Sequence, residues 1–209
     1  MNNYLKIREL TAVCLIILAI AAVGCGKNGT PAASRVDLAK DGTLKAVMIS
    51  SFNKNYYDID ELRNGIAMAV EEYNSKAGGY RIELKEVVFD GDTAEVVMNY
   101  RTAADYAAFN NVTFFSGTVE EGIANETLPG DITLHPVKEG LAETTPRDLA
   151  KEKKPGHFLV FMEPLSVKVP GSVTYLSDGL TVDDEGRIAV AEELIDGSTL
   201  SSLVYVFFS

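Results

Sequence analysis

The chain has few cysteines, few histidines, a deficit of basic residues and only one long apolar run. Each shortage excludes something. It has 209 residues with only two cysteines and two histidines. Its longest apolar run, Thr11 to Val23, falls short of the ~20 residues a membrane-spanning helix needs. Cys14 lies inside that run, so loss of the segment would leave Cys25 without a thiol partner. No disulfide could then form, and stability would rest on the core alone. Lys and Arg total 19 against 30 Asp and Glu, a net charge of −11. That balance argues against nucleic acid, whose phosphates call for a basic surface, and against electrostatic docking on anionic lipid.

Catalytic signatures are also missing. No GxSxG, HExxH or P-loop motif is present. His135 precedes a proline and His157 follows Pro155-Gly156. Neither has Cys, Asp or Glu at a ligand spacing, so no metal site is expected. Asp183, Asp184 and Glu185 lack the spaced oxygens of a calcium loop and read as a solvated hairpin turn. The expectation is a protein without cofactor or metal, and not an enzyme.

The amino terminus is informative. Lys6 and Arg8 precede the apolar run, which closes on Ala22-Val23-Gly24-Cys25. A basic start, a short apolar stretch and a small-residue end make a secretory signal. The residues before Cys25 resemble a bacterial lipoprotein box, with Ala22 where Leu is commoner. That resemblance implies cleavage before Cys25, a lipid on its sulfur, and an extracytoplasmic chain anchored to a bacterial membrane, in the periplasm or at the cell surface. An ordinary signal peptide cut nearby and an uncleaved anchor are the alternatives. Removal of residues 1–24 takes away Lys6, Arg8 and Glu9, so −11 becomes −12 over 185 residues. That length suits one sizeable core. Residues 25–42, small and polar, read as a flexible tether.

Ordered structure is expected from Leu44. "LKAVMIS" reads as a buried strand and "SFNKNYYD" as a loop. Asp58 and Glu61 stand at capping-box spacing ahead of an apolar stripe at Leu62, Ile66, Ala69, Val70 and Tyr73. Ala77-Gly78-Gly79 ends that helix. "YRIELKEVVFD" is a second strand. Asp92 and Glu95 repeat the box spacing, and Ala94, Val97, Arg101, Ala104 and Ala108 stripe a second helix. "VTFFSG" is a third strand, with Thr118 and Glu121 opening a third helix. This order predicts an α/β fold: a Rossmann-like parallel-sheet lobe (β-α-β-α-β) over 43–130. A strand-rich carboxyl-terminal half follows over 131–209, with one short helix near Pro146 to Lys153 and a hairpin at "TVDDEGRIAV". Val204 to Phe208 must be buried.

Four segments, "RNGIAMAVEEYN", "KAGGYRIEL", "FDGDTAEVV" and "VTFFSGTVEEGIA", resemble the amino-terminal lobe of type I periplasmic solute-binding proteins, the Leu/Ile/Val-binding family of ABC importers. They cover about residues 44–125. The resemblance implies capture of a small polar ligand, an amino acid or related carboxylate, and its delivery to an ABC permease in the membrane. Carried over by position, the implied ligand contacts are Ser51 after the first strand, and Ser116, Gly117 and Thr118 after the third. Tyr56 or Tyr57, of which Tyr57 is preferred, supplies an apolar wall. Ser116 to Thr118 equally suit a plain helix cap. Glu120 and Glu121 place negative charge where a carboxylate ligand would sit. About 80 residues remain after the resemblance ends, and their pattern does not read as a matching second lobe. The alternative is a lipid-anchored scaffold or sensor that uses a truncated or diverged lobe for protein contacts.

Overall fold

A computed structural model describes residues 34–54, 57–151, 156–183, 186, 188–191 and 202–209. The signal segment 1–24, Cys25 and Tyr56 lie outside the described residues. The chain divides into two compact units, Met1–Val36 with Gly42–Asn110, and Asp37–Asp41 with Asn111–Ser209. Strand β1 (Arg35–Leu38) has residues of both and lies within the stretch expected to be a tether. Its Val36 and Leu38 are buried and its other two residues are not, a two-residue period too short to stand out among small and polar neighbours.

The first unit then runs β2 (Leu44–Ser51), α1 (Ile59–Lys76), β3 (Ile82–Asp90), β4 (Thr93–Tyr100) and α2 (Ala103–Asn110). Helix α1 forms where the sequence predicts it. The Asp58 carboxylate accepts from the Asp60 and Glu61 amides, and Ile66 and Val70 are the buried positions of the stripe.

The expected parallel β-α-β-α-β lobe is not what forms. Residues 93–100, read as the start of a second helix, are strand β4, antiparallel to β2 on one side and to β3 on the other. The reason is local. Asp90 pairs with Thr93 across Gly91-Asp92, and Gly91 has φ +58°, as a two-residue hairpin turn with glycine first requires. Within β4, Ala94, Val96, Met98 and Tyr100 are buried at a period of two. The Asp92/Glu95 spacing belongs to a turn and a strand, not to a helix cap. Strands joined by so short a turn can only be antiparallel, because a parallel pair needs a crossover of a dozen or more residues. The chain is therefore mixed α/β and strand-rich, without the Rossmann-like lobe.

Helix α1 lies along β3, whose hydrogen-bonded neighbour is β4. An edge strand exposes backbone donors and acceptors that invite pairing with another chain. Two α1 side chains occupy some of them. Asn74 donates from Nδ2 to the Ile82 carbonyl at 2.8 Å, and its Oδ1 accepts from the Arg81 and Ile82 amides. Arg63 donates to the Val87 carbonyl at 3.2 Å. The two side chains are three helical turns apart, about 16 Å. Ile82 and Val87 are separated by about the same distance along a strand. The helix thus meets the strand at both ends with matched spacing.

In the second unit β5 (Phe114–Thr118), β7 (His157–Phe161), β12 (Val204–Phe208), β9 (Val173–Leu176) and β6 (His135–Pro136) form one sheet in that order. Its strand pairs are antiparallel. Phe158, Val160, Tyr205 and Phe207 alternate onto one face, where they pack with Val119, Leu128 and Leu134. The intervening Leu159, Phe161, Val204, Val206 and Phe208 are buried too, so β12 reads as one continuous apolar run. Short helices α3 (Val119–Ala124) and α4 (Pro146–Lys151) contribute Ile123, Leu149 and Ala150 to that core. Strands β8 (Ser166–Lys168), β11 (Ile188–Ala191) and β10 (Leu180–Val182) pair antiparallel, and β10–β11 is the expected hairpin with Gly186 at φ +67° in its turn.

Asn74→Ala removes three hydrogen bonds at the β3 edge and should lower unfolding free energy by about 2 kcal/mol, since partly buried partners lose their satisfaction. Urea denaturation checks this, and faster hydrogen exchange at Ile82 than at Met98 would locate the loss.

Candidate functional site

The register of β4 brings one end of three strands together. Thr93 stands opposite both Ser51 and Asp90, so β2, β4 and β3 finish flush. The Phe52 amide donates to the Asp92 carbonyl at 2.6 Å, which holds the loop after β2 against the β3–β4 turn. Three rings collect there. Phe52 stacks on Tyr57 with centroids 4.8 Å apart, and meets Phe89 edge-on at 5.7 Å. Phe52 and Tyr57 are half-buried, whereas Phe89 is 48% exposed; Val88, the preceding strand residue, is exposed on the opposite face. Aromatic pairs in these geometries gain about 0.5–1.5 kcal/mol beyond their area.

The implied ligand contacts separate into two groups. Ser51 and Tyr57 are at this aromatic end. Ser116, Gly117 and Thr118 are in β5, opposite Leu159, Phe158 and His157 of β7. Thr118 caps α3: its hydroxyl accepts from the Glu121 amide at 3.2 Å, and the Glu121 carboxylate accepts from the Thr118 amide at 3.0 Å. The Thr118 amide foremost, and the Thr118 hydroxyl after it, hold the Glu121 carboxyl below its ordinary pKa. A Cβ on Gly117 would press on the Phe115 ring. So the five residues do not share one edge: β2 and β5 belong to different sheets, and the parallel lobe that would align them is absent.

No family model matches the chain, and no curated protein or solved structure matches it.

Two polar clusters escaped the sequence reading. Asp105 of α2, 3% exposed, accepts from Tyr73 of α1 at 3.2 Å, from Arg81 Nε at 3.2 Å and from Thr102 at 2.6 Å. Burial and the adjacent carboxylate push the Tyr73 phenol up. Every partner belongs to the first unit's own framework, so the cluster ties α1, the start of β3 and α2 together. Thr102 is three residues from Asp105, but Tyr73 and Arg81 are 32 and 24 residues away, so chain spacing did not announce the cluster.

His135 is the second. Its Nδ1 lies 3.1 Å from Glu143 and its Nε2 2.9 Å from Asp178. With a carboxylate on each ring nitrogen the imidazolium donates twice. A metal would need one of those nitrogens free, and among the described residues no acidic, histidine and cysteine group gathers at metal-binding geometry. The Asp178 hydrogen bond, more than Glu143, raises the His135 pKa above 6.5 against the opposing effect of desolvation. The carboxylates come from positions 8 and 43 residues away, which is why no local spacing revealed them.

Thr118→Ala should cost about 1 kcal/mol by loss of the cap. Its effect on thermal unfolding should be the same with and without a panel of amino acids. A folded-state pKa above the unfolded value means that the His135 clasp stabilises fully below about pH 6.5 and fades as pH rises through the raised value. The Tm difference between the wild type and His135→Gln should therefore be larger at about pH 5.5 than at about pH 8.5. An equal difference at both would remove the clasp from the account.

Proposed function

We propose that the chain is a lipid-anchored extracytoplasmic contact module, held to a bacterial membrane through Cys25 and binding a protein partner with its first unit. One observation carries the reading: the flush end of β2, β4 and β3 leaves Phe89 exposed against Phe52, which stacks on Tyr57. Aromatic side chains are the residues most enriched at the centres of protein interfaces, where rigid rings bury much area for little lost entropy. Solute capture for an importer draws its support from a two-lobed mechanism with a cleft beyond parallel strands. The antiparallel sheets do not supply that cleft. Of the residues that capture would need at the third strand, Thr118 is engaged in a helix cap.

The experiment places a photo-crosslinking phenylalanine analogue at position 89 in cells producing the full chain. A discrete adduct in the membrane fraction is expected, lost when Phe52→Ala is added or when the analogue replaces Tyr80, which is exposed elsewhere. Cys25→Ser should abolish the adduct by releasing the chain from the membrane. No adduct at position 89, together with a saturable thermal shift on one amino acid, would overturn the contact reading in favour of solute capture.

A further inference from the structure

The position of Ser34 limits how far the ring-bearing end can stand from a membrane. Ser34 precedes β1, and its hydroxyl accepts from the Ile49 amide at 3.0 Å and donates to the Ile49 carbonyl at 3.4 Å. Ile49 is two residues from the end of β2, about 7 Å. It lies opposite Glu95, which lies opposite Val88; Phe89 is in the next row, with Ala94 and Ser50. Crossing from β2 over β4 to β3 covers about 10 Å. Ser34 is therefore bonded near the end at which Phe52, Tyr57 and Phe89 collect, and all four residues belong to the first unit. The other end of the same strands carries Tyr80, two residues before Ile82. The row of Ile82 runs through Tyr100 to Leu44, about 23 Å along β2 from Ser51.

Nine chain steps separate Cys25 from Ser34. A chain of that length reaches at most about 30 Å, whatever its conformation. A lipid on Cys25 therefore keeps the ring-bearing end close to the bilayer, and closer than Tyr80. Three rings, two of them already half-buried, offer little area, and a small contact between two freely diffusing proteins is weak. Holding both partners at one membrane surface raises their effective concentration and makes the same contact frequent. The bilayer itself is a poor occupant, since a chain of net charge −11 gains nothing from anionic headgroups. We infer that the partner of the ring-bearing end is an integral membrane protein, which meets Phe89 with an apolar patch on its membrane-proximal extracytoplasmic surface. The inference rests on the contact reading above, including the lipid at Cys25, and names the class of partner.

The test adds a site for a sequence-specific protease between Gly26 and Ala33 in the full chain carrying the photo-crosslinking analogue at position 89. After irradiation of cells, membranes are isolated, cut with that protease and washed with alkaline carbonate. Uncrosslinked chain is expected in the wash, because cutting frees it from its lipid. The adduct is expected to stay in the stripped membranes, held there by the partner's own spanning segments. Release of the adduct into the wash overturns the inference, since a soluble protein, a peripheral protein or a second copy of this chain cut by the same protease would each be released. An adduct whose mass exceeds that of the chain by a single lipid overturns it as well, and makes the bilayer the occupant. A specific protein adduct that is released leaves the contact reading standing and removes only the membrane-embedded partner. Absence of any protein adduct removes both.

Discussion

The pairing of β4 with neighbours on both sides is the constraint on which the first unit depends. Its eight residues are in register with β2 from Leu44–Tyr100 to Ser51–Thr93, and with β3 from Ile82–Tyr100 to Asp90–Thr93. A strand held on both sides has no freedom to slip, because a one-residue shift would turn Ala94, Val96, Met98 and Tyr100 out of the core. The register fixes where all three strands stop. Phe52, Gly91-Asp92 and Phe89 are thereby delivered to one end, and the rings meet there as a consequence of strand length.

The same constraint leaves β3 to be managed. Its register shifts between Leu84 and Glu86, an irregularity that puts Lys85 out of step with β4. Bulges and lysines are devices that blunt a sheet edge, and α1 adds the Asn74 and Arg63 contacts. The helix therefore stabilises the sheet at its backbone as well as through Ile66 and Val70. Asp105 reinforces the arrangement from the other side, since Tyr73 on α1 and Arg81 before β3 both reach it.

Much of this was legible in the sequence, and the topology that was not turns on one short segment. Asp58, the stripe at Ile66 and Val70, and the Gly78-Gly79 stop specify α1 through local signals, and local signals decide a helix of that length. The buried strands β7 and β12 declare themselves by continuous apolar runs. At 90–95 two local signals compete. Asp92 and Glu95 have the spacing of a capping box, while Asp90-Gly91 is a turn preceding a β-branched alternating stretch. Reading a helix there forces the flanking strands parallel; reading a turn forces them antiparallel. One short segment thus decides the topology, and with it whether a cleft at the carboxyl ends of parallel strands exists. Ser116 to Thr118 were ambiguous for a different reason. A helix cap and an anion site use the same residue types, because both satisfy the free amides of a helix start. The Glu121 carboxylate returning to the Thr118 amide completes a cap at Thr118.

The aromatic end could not be read from spacing alone, since Phe52, Tyr57 and Phe89 become neighbours only through the β4 register. Once they are neighbours, their polarity has a physical meaning. Burying Phe89 within its own unit would require the turn at 90–93 to fold back over it, and Gly91 directs the chain straight into β4 instead. The ring therefore stays half exposed on the face it shares with Ala94, while Asp90, opposite Thr93, lies on the other face. Such a surface favours an occupant whose flat area covers the ring, because an aromatic ring buries much area at little cost in conformational freedom. The geometry of the turn, fixed by glycine and by the register of one strand, thus determines where the exposed ring stands.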